Sequence, residues 1–192
     1  CGIATTPFNI TESTIALELS VSVDHNANCN PNSGLISAIG QNGTAPYLYQ
    51  ITTTPGAPLI TDPNWDVPST FNVDAGTYYV HVLDAYGCII SSPAPVVPMD
   101  PSPVVAIAVS NQCDTDEGAF EIDVTLPTAG IPPYSFSIDG GTFQTQTPPF
   151  TIQNLASGTH TVEVRDANGC GNLETITIEP PLGMGASSHR SS

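Results

Sequence analysis

Short alternating runs dominate the chain. Tyr47, Tyr49 and Ile51 recur at every second position, as do Tyr134, Phe136 and Ile138, and again Tyr78, Val80 and Val82. A period of two sends successive side chains to opposite faces of a strand, so each trio predicts one core-facing side of a half-buried strand. In the second half His160, Val162 and Val164 hold the corresponding inward positions. His81 in the first half and Glu163 in the second hold an outward one. No stretch sustains apolar spacing at the helical period, which predicts almost no helix. No apolar run approaches the roughly eighteen residues of a transmembrane helix. The 19 Pro and 16 Gly punctuate the runs as turns do. The predicted class is all-β.

The runs also come in two copies. Gly76, Thr77, Val80, Val82, Asp84, Ala85, Gly87 and Cys88 match Gly158, Thr159, Val162, Val164, Asp166, Ala167, Gly169 and Cys170 without a gap. Upstream, Pro46-Tyr47 matches Pro133-Tyr134, and Cys29 precedes Gly34 by five residues as Cys113 precedes Gly118. Matching landmarks lie 82 to 87 residues apart, a domain-sized repeat rather than a solenoid period. The predicted layout is residues 14–99 as repeat 1 and 100–182 as repeat 2. Residues 1–13 read as the end of a preceding repeat plus linker, and 183–192 as a Gly/Ser-rich tail.

Within each copy the Asp-Ala-x-Gly stretch reads as a turn, because Asp bonds its own backbone and Gly accepts positive φ. The cysteines sit at the same landmarks in both copies. That recurrence predicts one bridge per repeat, Cys29–Cys88 and Cys113–Cys170, closing loops of 59 and 57 residues. Disulfides in turn predict a compartment outside the cytosol. Cys1 is left over. Cys1-Gly2 looks like Cys170-Gly171, so it reads as the closing cysteine of an upstream repeat, with an acylated lipoprotein cysteine as the rival. No leader is visible, since the sequence starts at Cys1.

Charge narrows the partners. Eighteen Asp and Glu face only Arg165 and Arg190, for a formal net charge of −16. Phosphate-neutralising cations are missing, which excludes nucleic acid, and anionic membranes are repelled for the same reason. No Gly-x-Ser-x-Gly, His-Glu-x-x-His or phosphate loop occurs, and neither His81 nor His160 is echoed by its counterpart. The expectation is no catalytic residue, no enzyme and no small-molecule cofactor. If Cys113 bonds Cys170, then Asp114, Asp116 and Glu117 come near Asp166, hard oxygen donors of the kind Ca²⁺ takes. A plain solvated acidic loop is the first reading of those residues, and a calcium site the alternative. Trp65 and Tyr86 are candidates for an aromatic platform that binds carbohydrate.

The pattern Pro-Tyr-x-(Tyr/Phe)-x-Ile followed by Gly-Thr-x-x-Val-x-Val-x-Asp-Ala-x-Gly-Cys resembles the SprB repeat of giant surface adhesins of the Bacteroidetes. Asp166–Cys170 and the hairpin at Ile138-Asp139-Gly140-Gly141 are its most specific pieces. Repeat 1 departs from it through Thr52–Gly56, an insertion over Leu59–Val67 that holds Trp65, and Tyr86 in place of Asn168. The resemblance implies two tandem immunoglobulin-like β-sandwich modules in an elongated array. It also implies export by the type IX system to the extracellular face of a bacterial cell, and a structural stalk in adhesion or gliding motility. The partners would be neighbouring repeats of the same chain. A carbohydrate-binding module meeting surface glycans, or a subunit of a polymerising filament with an open edge strand, are the alternatives.

Overall fold

The computed structural model describes residues 15–93, 95–113 and 115–181. Expectations for Cys1, residues 1–13, Asp114 and the 183–192 tail fall outside these residues. Every regular element in them is a β-strand. The described chain divides into two compact units. One holds residues 15–27 and 31–98, the other residues 99–181 together with Asn28–Asn30.

In unit 1 the strands are β1 (Glu18–His25), β2 (Gly34–Gln41), β3 (Leu48–Thr52), β4 (Thr70–Val73), β5 (Gly76–Thr77), β6 (Tyr79–Leu83), β7 (Ile89–Ser91) and β8 (Val96–Val97). They form antiparallel sheets β1-β2-β4 and β3-β6-β7, with β5 paired to β8. Unit 2 holds β9 (Val104–Val109), β10 (Phe120–Thr128), β11 (Ser135–Ile138), β12 (Gln144–Thr145), β13 (Phe150–Leu155), β14 (Gly158–Arg165) and β15 (Leu173–Ile178), in sheets β13-β10-β9 and β12-β11-β14-β15. In each unit the first two strands share a sheet with the strand that precedes the closing pair, β4 in unit 1 and β13 in unit 2, while β3 and β11 pair with the closing strands β6 and β14 in the other. That is the strand partition of an immunoglobulin-like sandwich. In unit 1 the last long pairing is broken in two. Pro93 and Pro95 have no N–H for the ladder, and Ser92 fills the gap by donating to the Val80 carbonyl at 2.8 Å.

The cores follow the alternation. Ile36 and Ala38 of one sheet meet Tyr49, Val80 and Val82 of the other in unit 1. Ile122 and Val124 meet Phe136, Val162 and Val164 in unit 2. Removing each such aliphatic side chain from water is worth about 1.5–3 kcal/mol. Phe136 also packs edge-on against Phe150 at 4.9 Å between centroids. Tyr47 and Tyr134 are half-buried against these cores. Ile138 is half-buried and stands outside the unit 2 cluster.

His81 keeps the outward position between Val80 and Val82, but that position is not exposed. His81 is fully buried, bonded through its ring nitrogens to Thr52 Oγ1 at 3.0 Å and Ser91 Oγ at 2.7 Å. Gln50, directly across the ladder, and Leu83 are buried too. The outer face of β3-β6-β7 is therefore covered at its centre. At the matching position in unit 2, Glu163 is half-buried and pairs with Arg165 at 2.8 Å.

Candidate functional site: the cysteine-bearing ends

The Asp-Ala-x-Gly-Cys segments fold into the same loop in both units. In unit 1, Asp84 Oδ1 accepts from the N–H groups of Tyr86 (3.0 Å) and Cys88 (2.9 Å), and Oδ2 accepts from Thr44 N–H at 3.2 Å. In unit 2, Asp166 Oδ1 accepts from Asn168 (2.9 Å) and Cys170 (2.9 Å), and Oδ2 from Ile131 N–H at 3.1 Å. Each Asp N–H donates to the cysteine carbonyl, and each Gly N–H to the Asp carbonyl. Gly87 and Gly169 stand at φ 85° and 77°, a conformation that costs glycine nothing. Burial works against ionising Asp84, but the N–H groups of Cys88, Thr44 and Tyr86 outweigh it and hold its carboxyl below the usual range. A buried carboxylate thus fixes the cysteine at the tip of the loop.

A glycine pair that the sequence reading passed over completes this loop. A Cβ on Gly43 would lie 2.9 Å from Asp84 Oδ2, and one on Gly130 would lie 2.6 Å from Asp166 Oδ2. Only glycine lets the neighbouring loop approach closely enough to donate. The signal was present as Gly-x-x-Pro-Tyr at 43–47 and 130–134.

The disulfide pairing is corrected. Cys29 is bonded to Cys170, with Cα atoms 5.7 Å apart, while Cys88 and Cys113 are free and exposed. The reason is the layout of each sandwich. β2 begins at Gly34, opposite Val73 at the end of β4, and Asn32 N–H donates to Asp74 at 2.7 Å. The segment ahead of β2 therefore lies at one end of unit 1. The Asp84–Cys88 loop bonds Thr44, just past the finish of β2, at the other end. Eight residues of strand separate the two by about 24 Å, whereas bridged Cα atoms lie roughly 4.4–6.8 Å apart. Unit 2 repeats the arrangement. Glu117 accepts from Ser157 N–H at the start of β10, and Asp166 bonds Ile131 past its finish. No bridge spans a sandwich end to end.

The Cys29 segment groups with unit 2. Cys29 N–H points at Cys170 Sγ at 3.3 Å, and Asn30 Nδ2 donates to the Asn168 carbonyl at 3.1 Å. Cys170 is only 3% exposed.

The proposed calcium ligands are not brought together. Asp116 and Glu117 sit at the β10-start end of unit 2, Asp166 at the opposite end with its oxygens engaged in the loop, and Asp114 lies outside the described residues. Among the described residues no three His, Cys, Asp or Glu side chains gather as a metal site. Trp65 is half-buried, its Nε1 donating to the Leu59 carbonyl at 2.9 Å within the insertion. Tyr86 is 82% exposed at the tip of the unit 1 loop. An open groove of about 550 Å³ in unit 1 is lined by Tyr49, Gln50, Ile51, Asn64, Asp66 and Phe71. His160 bonds Asp139 at 2.8 Å, and this hydrogen bond, with that to the Ala156 carbonyl, raises its pKa above 6.5. Burial lowers that of His81.

No protein-family model matches this chain, and no curated protein matches it. Among solved structures it is similar to the fibronectin(III)-like modules of Clostridium thermocellum CbhA, at 15% identity and a TM-score of 0.36, covering 84% of this chain and 94% of that one. It is also similar to a C-terminal fragment of intimin in complex with an intimin-binding domain, at 11% identity, a TM-score of 0.38, and coverage of 86% of this chain and 64% of that one. The amphioxus IgVJ-C2 molecule gives 14% identity and a TM-score of 0.31, covering 88% and 99%. Values this low carry nothing about function.

Proposed function

We propose that this chain is a repeat segment of a large secreted cell-surface adhesin of the SprB-repeat kind, a disulfide-stapled structural stalk serving adhesion or gliding motility, with no catalytic role. One observation carries the reading. Across the two units, the matching residues are those that build the core, the turn and the cysteine loop, and no further polar constellation recurs. What the repeat preserves is a scaffold with a covalent joint. The bonded pair suits a compartment outside the reducing cytosol, and the surplus of acidic residues keeps so long an array soluble.

Antibodies raised against the purified chain test the location on intact cells of the source organism. The expected result is surface labelling without permeabilisation, and weaker adhesion or gliding when the coding segment is deleted. Labelling only after permeabilisation overturns it. The carbohydrate reading is favoured by exposed Tyr86 and by the groove beside the Trp65 insertion. Glycan-array binding by the purified chain, abolished by Tyr86→Ala or Asn64→Ala, would transfer the proposal to it.

A further inference from the structure

The two free cysteines are the counterparts of the two bonded ones. Cys88 matches Cys170 at the tip of the Asp-Ala-x-Gly-Cys loop, and Cys113 matches Cys29 ahead of the second strand of its repeat. The loops around Cys88 and Cys170 share every hydrogen bond described above, down to the donor residue in the adjoining glycine loop. One tip holds its partner cysteine and is buried, while the other is exposed. Neither free cysteine can be satisfied inside its own sandwich, since the two lie at opposite ends of their repeats.

From this geometry we infer that Cys88 and Cys113 are the two unfilled halves of the joint that Cys29 and Cys170 make. Cys88 receives the cysteine segment that precedes the second strand of another copy of this repeat. Cys113 delivers its own segment to the closing loop of a further copy. The partner is thus a second SprB-like repeat, and the linkage is directional, front cysteine to closing-loop cysteine. Like-to-like pairs have no place in it. Cys29 and Cys170 identify the partner. Their bond joins the front cysteine in the sequence of one repeat to the closing loop of the next, and Asn30 braces it by donating to the Asn168 carbonyl. The inference rests on reading the chain as a repeat segment, but not on where the protein resides. Localisation and bond connectivity are separate measurements, so either can fail alone.

Bond formation is a two-electron oxidation. The Cys88 and Cys113 thiols lose two protons and two electrons to a disulfide oxidant, whose own S–S bond breaks to give two thiols. With oxidised glutathione the products are one protein disulfide and two molecules of reduced glutathione.

The test uses the whole chain with Cys1→Ser, which removes a third thiol lying outside the described residues. It is equilibrated in a glutathione redox buffer and mapped by non-reducing electrophoresis and peptide mass spectrometry. The expected result is a reductant-sensitive ladder, with the intermolecular Cys88–Cys113 peptide in about tenfold excess over either like pair, as a preorganised site gives. Cys88→Ser and Cys113→Ser each remain monomeric, and mixing the two yields a dimer and nothing larger. A purely statistical mixture of the three pairings overturns the proposal, as does Cys88 bonded to Cys29 within one chain. Absence of any Cys88–Cys113 link, both in the free chain and in a head-to-tail fusion of two whole chains, overturns it too.

Discussion

The Cys29–Cys170 bond sets how much of this chain can feel a pulling force. If the molecule is stretched from its ends, tension runs along the chain to Cys29, crosses the disulfide, and leaves through Cys170. Everything between is outside the line of force, including β2 through β14 and the core residues they carry, whereas Leu17, Ala27 and Ile178 lie outside the bond. Only β1, zipped to β2, and β15, zipped to β14, can be peeled away. Reduction should release the enclosed chain. A sequence separation of 141 residues at 3.3–3.6 Å each corresponds to about 470–510 Å of added contour, less the 5.7 Å already spanned between the Cα atoms. The same bond stabilises the folded state by about 5 kcal/mol in the chain-entropy account of a loop this long. Single-molecule stretching with and without reductant reads the contour directly, and Cys29→Ser should reproduce the reduced curve without reductant. Bridges confined within each repeat would behave differently, since two closed loops of 59 and 57 residues would each yield an increment of roughly 190–210 Å. Two such steps on reduction, or an oxidised molecule that extends beyond the segments outside 29–170, would refute the reasoning.

Two other outcomes follow from the cores and the histidines. Phe136→Ala should cost about 3–5 kcal/mol in denaturant unfolding, since the ring is buried and packed on Phe150. Half-buried Ile138→Ala should cost less, and equal losses would invert the face assignment. The two units should respond to pH in opposite directions. His81 has its pKa lowered by burial, so the unfolded chain binds the proton more tightly, and unit 1 loses stability as pH falls below 6.5 toward the lowered value. Fluorescence of Trp65, the single tryptophan, reads this, and His81→Gln should flatten it. His160 has its pKa raised by Asp139, so its contribution is full below 6.5 and fades as pH rises through the raised value. Hydrogen exchange of the β14 amides reads that loss, and a common direction for both units would contradict the assignment.

The period-two runs carried the strands and the core in the sequence because burial in a sandwich is a local matter of alternate positions. Tyr49, Val80, Val82, Phe136, Val162 and Val164 all lie where alternation puts them. His81 broke the pattern because alternation tells which face a residue is on, and nothing about whether that face is covered. The nearest sequence signal was the polar residue Gln50, which the ladder places opposite His81. Its buried Oε1 has no hydrogen-bond partner among the described residues.

The cysteine pairing failed for a topological reason. A sequence repeat marks positions as equivalent, and equivalence does not make them neighbours. Whether two loops share an end of a sandwich depends on whether the chain makes an even or odd number of passes between them. From Cys29 to Cys88 the long strands are β2, β3, β4 and β6, an even number that would return the chain to its starting end. The fifth pass is the short return at Asp66, which pairs with Tyr49 through a single bridge. Its counterpart in unit 2 is β12, two residues long. Neither leaves an alternating run to read, yet each reverses the parity and puts the two cysteines of a repeat at opposite ends. The acidic cluster then dissolved for the same cause, since Asp116 and Glu117 were placed near Asp166 only through the bond between Cys113 and Cys170. A repeat with one cysteine at each end cannot staple itself, which is why neither Cys29–Cys88 nor Cys113–Cys170 forms.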